Sequence, residues 1–244
     1  MASLEAPSSE RKAELAQSLG QVRAIVQRSP NASGRLVAVS KYKSASDIMA
    51  AYEAGQRHFG ENYVQELCDK ASVLPADIRW HFIGRLQSNK CKALAGIPNL
   101  WAVETIDSAA KAHKLNDAWT SAGNQTPLHV FVQVNTSNEE SKGGVEQREV
   151  EGVVREIAGA CSGLYLKGLM TIGSVEGSNQ RPNPDFLAMV ALRDTIKQNA
   201  GIDLELSMGM SDDFEHALEL GATNVRVGSK IFGTRPPKAS ATST

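Results

Sequence analysis

The sequence predicts a single (β/α)8 TIM barrel, and three observations predict it. A short apolar strand, a polar turn and an amphipathic helix recur along the chain, often closed by Gly or Pro. Eight such strands can be laid out in 244 residues, each with a helix behind it, which is the arithmetic of this fold. Polar residues gather where the strands end, the face on which such barrels carry their sites. A doubly wound open sheet competes, but it uses fewer strands for this length and has a different ligand crevice.

Residues 1–9 lack apolar periodicity and are expected to be disordered, as is the Pro-, Ser- and Thr-rich tail 236–244; the barrel is expected over 10–235. Leu15, Leu19, Val22, Ile25 and Val26 fall at helical spacing, so an extra N-terminal helix precedes the barrel and stops at Ser29-Pro30. The first strand is Leu36 to Ser40, followed by a helix from about Ser46 to Ala54. Strands at 57–60, 79–84 and 100–103 lead to helices near 63–73, 87–94 and 107–119. The clearest strand, Leu128 to Val134, passes through Gly143-Gly144 into a helix near 146–158. Strand 165–172, a Gly- and Asn-rich loop, helix 184–199, strand 204–207, helix 211–220 and strand 224–227 complete the count.

Formal net charge is -1 at a pI near 6.5, so no basic field recommends nucleic acid or anionic membrane as a partner. Cys68, Cys91 and Cys161 are odd in number and far apart, which argues for a reducing compartment; with no signal peptide or spanning run, a cytoplasmic protein is expected. The five histidines show no metal spacing.

Lys41 sits where the first strand leaves the core. Partial burial disfavours its ammonium and yields the free amine that attacks carbonyls to make a Schiff base; a lysine merely snorkelling into water is the plain alternative. Ser207-Met-Gly-Met-Ser211-Asp, with Ser211 as an expected helix N-cap, and Val227-Gly228-Ser229 each open a helix, and backbone N–H groups there can converge on an anion. Asp212 and Asp213 beside them count against an anion unless they face solvent. Arg226 alternates with Val225 and Val227 and so points into the barrel, where its acceptor is either a pyridine nitrogen or a carboxylate such as Glu205 or Glu61. Lys43 would share the face of Lys41 if the strand ran that far, and could there depress the pKa of Lys41 or hold the cofactor transiently, with a surface lysine as the plain alternative; Tyr42 is expected to point away from Lys41. A Schiff-base lysine, a phosphate cradle and an inward arginine together describe a pyridoxal 5'-phosphate site.

Longer motifs go further. Val39-Ser-Lys41, His58-Phe-Gly-Glu-Asn-Tyr-Val-Gln-Glu66, Trp80-His-Phe-Ile-Gly84, Gly168-Leu-Met-Thr-Ile172, Leu206-Ser-Met-Gly-Met-Ser-Asp212 and Val225-Arg-Val-Gly-Ser229 resemble the pyridoxal phosphate homeostasis family, itself similar to the N-terminal barrel of alanine racemase. The resemblance implies pyridoxal 5'-phosphate bound covalently as a Schiff base to Lys41, with Asn62 and Met170 lining the ring. It also implies Ser207, Met210, Ser211, Gly228 and Ser229 around the phosphate and Arg226 at the ring nitrogen. A guanidinium only donates, so the ring nitrogen would stay unprotonated and the ring would be a poor electron sink. The resemblance therefore implies a monomeric carrier in vitamin B6 homeostasis, passing the cofactor to pyridoxal phosphate-dependent apoenzymes in the cytoplasm or a mitochondrial pool, with no catalytic residue. The alternative is an amino-acid racemase, which needs a second acid/base opposite the lysine; Tyr52, Tyr63 and Tyr165 read as packing residues. A lysine-dependent aldolase on the same barrel is a third reading.

Overall fold

The computed structural model describes residues 6–30, 34–137, 139 and 143–234. The tail 236–244 and residues 1–5 of the expected disordered N-terminus lie outside these. Residues 8 and 9 are ordered: Ser8 Oγ accepts from Arg11 N at 3.1 Å and caps the first helix, α1 (Ser9–Arg28).

The barrel follows as β1 (Arg35–Val39), α2 (Ala45–Glu53), β2 (His58–Glu61), α3 (Val64–Val73), β3 (Arg79–Phe82), α4 (Cys91–Ala95), β4 (Leu100–Ile106), α5 (Ala109–Ser121) and β5 (Leu128–Asn135). A two-residue strand β6 (Val145–Glu146) pairs with the end of β5, and α6 (Val150–Ala160), β7 (Leu164–Met170), α7 (Val175–Ser178), α8 (Pro184–Ala200), β8 (Glu205–Ser207), α9 (Phe214–Glu219), β9 (Asn224–Val227) and α10 (Ser229–Phe232) complete it. Parallel pairing runs β1-β2-β3-β4-β5-β7-β8-β9, and β9 returns to β1 through Arg35↔Asn224 to Ala38↔Val227. The ring is closed, so the open sheet is excluded and no barrel strand is left as an edge.

The main core lies between the outer face of the ring and the helices, where Leu36, Ala38, Val225 and Val227 meet Ile48, Leu67 and Phe214. Among the described residues, α10 follows β9 and is four residues long. The place of a long eighth helix is taken by α1, which packs Leu15, Leu19, Val22 and Val26 inward and touches α2, α9, α10 and β1.

Inside the ring the side chains are unusually polar. A small apolar cluster, Ala102, Phe131 and Met170, is accompanied by buried His81, Glu104, Gln133, Ser207, Asn224 and Arg226. Trp101 is the extra residue of a bulge, since Trp80 pairs Leu100 and His81 pairs Ala102, and its ring stacks on His129 at 4.3 Å. Among the described residues no helix is long and apolar enough to cross a membrane.

Local boundaries differ from expectation in three places that bear on the site. β1 stops at Val39, and Lys41 stands in a turn whose next residue, Tyr42, has φ 62. The strand-based expectation for Tyr42 therefore does not apply; its hydroxyl meets that of Tyr63, and both rings are about half exposed. α9 begins at Phe214, because Ser211 is not an N-cap: its Oγ accepts from Gly228 N at 3.2 Å instead. Tyr63 and Tyr165, expected to pack, are about half exposed, with their rings against Tyr42 and His129 respectively.

Candidate functional site

A cavity of about 310 Å3 opens at the C-terminal ends of the strands. Of the residues singled out from sequence, Lys41, Asn62, Met170, Met210, Ser211, Arg226, Gly228 and Ser229 all line it. Ser207 does not. Its side chain is fully buried one layer deeper, where Oγ lies 2.5 Å from Glu104 Oε2 and takes Arg226 Nη1 at 2.6 Å and Asn224 Nδ2 at 2.9 Å, so its hydroxyl is not available to a phosphate.

Lys41 projects from a turn that is fastened on both sides. The carbonyl of Ser40 accepts from Lys70 Nζ at 2.9 Å, and Tyr42 N donates to Glu66 Oε1 at 2.7 Å. Lys70 also reaches Glu61 Oε1 at 2.7 Å and Glu66 Oε1 at 2.6 Å. Burial pushes the Glu61 carboxyl up, against the pull of Lys70.

Asn62 follows β2 and is held by a close backbone approach. A Cβ on Gly84 would lie 1.9 Å from Asn62 O, so only glycine fits there. Asn62 Oδ1 is buried with no hydrogen-bond partner among the described residues, an amide in the cavity wall still owed a contact.

The loops after β8 and β9 are joined to each other. Beside the Gly228–Ser211 bond, Arg226 N donates to Gly209 O at 3.0 Å, and Gly209 has φ 92 with no room for a Cβ against Phe214 Cα at 2.9 Å. Asp213, one of two acids counted against an anion here, is buried and turned away: Oδ1 accepts from Met210 N at 2.7 Å and Oδ2 from Ser178 Oγ at 2.8 Å. Asp212 is exposed at the rim.

Arg226 is 4% exposed, with Nη2 donating to Thr171 O at 2.7 Å. Neither expected carboxylate is its partner: Glu205 pairs with Arg35 and Lys167, and Glu61 with Lys70. A guanidinium has five donors, so N–H capacity remains for a ligand.

Sequence reasoning missed Val39, Ile83, Ile172 and Gly233 in the wall, apolar or small residues with no chemical signature. Of the two readings of Lys43 the surface one does not hold: it is half-buried and lines the cavity, donating to the carbonyls of Phe232, Gly233 and Thr234 at 3.1, 3.3 and 2.9 Å. Burial, then the nearby Arg11 guanidinium, holds its pKa below the usual lysine value. Among the described residues no tyrosine lines the cavity, and no cluster of metal-ligating side chains occurs.

The family model described as alanine racemase, N-terminal domain, matches residues 14–236. The chain is 49% identical over 222 residues to the pyridoxal phosphate homeostasis protein of Schizosaccharomyces pombe, covering 89% of this chain and 92% of that one. The solved structure of PipY from Synechococcus elongatus PCC7942 with PLP bound is 32% identical with a TM-score of 0.75, covering 90% of this chain and 100% of PipY; the form without PLP is 33% identical with a TM-score of 0.79, at the same coverage. A barrel closed in this way, matched along nearly its whole length, belongs to the alanine racemase N-terminal domain family, and within it to the pyridoxal phosphate homeostasis proteins.

Proposed function

We propose that this protein binds pyridoxal 5'-phosphate as a Schiff base on Lys41 and serves intracellular vitamin B6 homeostasis without turning over a substrate. The observation that carries the reading is that one cavity holds Lys41, the unpartnered Asn62 amide oxygen and the buried Arg226 together. PipY, 32% identical, is known with PLP bound, which supports the same ligand here. Bound pyridoxal phosphate supplies an aldehyde carbon for a lysine amine and a ring that withdraws electrons. Around it, Asn62 and Met170 would flank the ring, while Met210, Ser211, Gly228 and Ser229 would face the phosphate. Arg226 would donate to the ring nitrogen and keep it unprotonated. Among the described residues no tyrosine lines the wall, so the tyrosine that would return a proton to the second face is not found there, which favours a carrier over a racemase. Recipient apoenzymes in the cytoplasm follow from this reading as its partners.

The purified protein should show near-visible absorbance that is lost in Lys41→Ala, and borohydride should fix the added mass on the peptide containing Lys41. Attachment at another lysine would break the assignment. Robust racemisation of alanine or serine by the purified protein would replace the carrier with an enzyme.

A further inference from the structure

Beneath the cavity floor lies a hydrogen-bond chain that the proposed function does not use. Glu104 is fully buried, and every contact it makes comes from a donor. His81 Nδ1 lies 2.5 Å from Oε1, Ser207 Oγ 2.5 Å from Oε2, and Asn224 Nδ2 3.1 and 3.2 Å from the two oxygens. An ionised carboxylate can only accept, so the single hydroxyl proton of Ser207 points to Glu104 and its lone pairs receive Arg226 Nη1 and Asn224 Nδ2. On the far side His81 Nδ1 must carry its proton, leaving Nε2 to accept from His58 Nδ1 at 2.8 Å. The direction of every bond is therefore fixed toward Glu104.

Arg226 needs such a counter-charge. It is buried, and among the described residues no carboxylate touches it directly. Asp213 adds to the field at Arg226 but less than Glu104 does, and its oxygens take Met210 N and Ser178 Oγ, not the guanidinium. A desolvated guanidinium left unbalanced is strongly disfavoured.

We propose that Glu104 is the positioning residue of the site: through Ser207 Oγ it orients Arg226 toward the cavity and balances its charge, so that the guanidinium meets a neutral ring nitrogen and recruits no anion to that end of the cavity. This rests on the pyridoxal phosphate reading, but half of it can be tested without the cofactor.

In the cofactor-free protein, the guanidinium N–H signals of Arg226, identified by their loss in Arg226→Lys, should be sharp and slow to exchange in nuclear magnetic resonance. They should broaden or vanish in Glu104→Gln and in Ser207→Ala. The second variant removes one hydroxyl, keeps the carboxylate and guards against a failure of Glu104→Gln to fold. In protein loaded with pyridoxal phosphate, both variants should bind the cofactor roughly tenfold more weakly, the effect of losing one charge-assisted hydrogen bond. They should also shift the pH profile of its absorbance, while borohydride still fixes it on Lys41. A purely structural role would lower the melting temperature and leave that pH profile in place. Unchanged guanidinium signals in either folded variant would overturn the proposal. A wild-type protein that takes up no pyridoxal phosphate defeats the cofactor reading instead, and the resonance measurement still decides whether Glu104 holds Arg226.

Discussion

Lys70 shows how much of the site depends on a residue outside it. It lies buried on α3, and its ammonium ties the Ser40 carbonyl, Glu61 and Glu66 together while Glu66 holds the amide of Tyr42. The two residues flanking Lys41 are thus anchored to one charge, which explains how a non-glycine residue persists at φ 62 beside it. Replacing Lys70 by Met should leave Glu61 as an unpaired buried carboxylate. Urea unfolding near neutral pH should report a loss of about 3–5 kcal/mol, the cost of removing one partner of a buried pair, and uptake of pyridoxal phosphate should weaken with it. The loss should shrink in acid, because a protonated Glu61 needs no cation. Full stability in Lys70→Met would show that the three acceptors do not depend on the ammonium.

At the level of elements, the N-terminal helix does the work of the eighth barrel helix. Leu19 is fully buried between it and the barrel, so Leu19→Ala should cost about 2–5 kcal/mol in chemical denaturation. A cost near zero would mean that α1 only rests on the barrel. The periodicity of α1 was readable in the sequence because a single apolar stripe at positions 15, 19, 22 and 26 faces the core. Its role as the missing helix was not readable, since that depends on α10 being only four residues long. The same division runs through the site. Strand ends could be located from local pattern, so eight of nine singled-out residues share one cavity. Ser207 lies off the cavity because its neighbour in space, Glu104, is 103 residues away, and nothing local says that a serine at a strand end will donate inward. The place of Lys43 could not be decided for a like reason: a lysine beside a turn reads as surface until Phe232, Gly233 and Thr234 bring three carbonyls to it. The depth of Glu104 follows from the bulge at Trp101, which sequence alone does not announce.

For the whole molecule, the polar lining of the barrel should govern how it responds to acid. His58, His81 and His129 lie along one side of the interior with Trp101 between them. Burial, then the charges of His81 and Arg35, pushes His58 down from the ordinary 6.5 to about 2. Burial likewise lowers His81, against the opposing pull of Glu104, and lowers His129. Each ring is thus neutral in the folded protein at pH values where it is protonated in the unfolded chain. Unfolding then takes up protons, so stability is complete above the unfolded value of 6.5 and falls as pH drops below it. His58, neutral in the fold across this range, contributes a slope of ~1.4 kcal/mol per pH unit well below 6.5, and His81 and His129 add to it in the same direction. Glu104 and Glu205, both held below the ordinary carboxylate value of 4.5 by their partners despite burial, add to the loss only in stronger acid. Between those two limits the histidines lower stability as pH falls, and Glu61, raised by burial, opposes them in part because the fold takes up its proton first. Urea unfolding followed from pH 7 toward pH 5 should therefore show a steady fall, and His58→Gln, which cannot titrate, should flatten it by about a third if the three rings act alike. A stability that stays level across this range would mean that the rings are already protonated in the fold, and the directional chain from His58 through His81 to Glu104 would not stand.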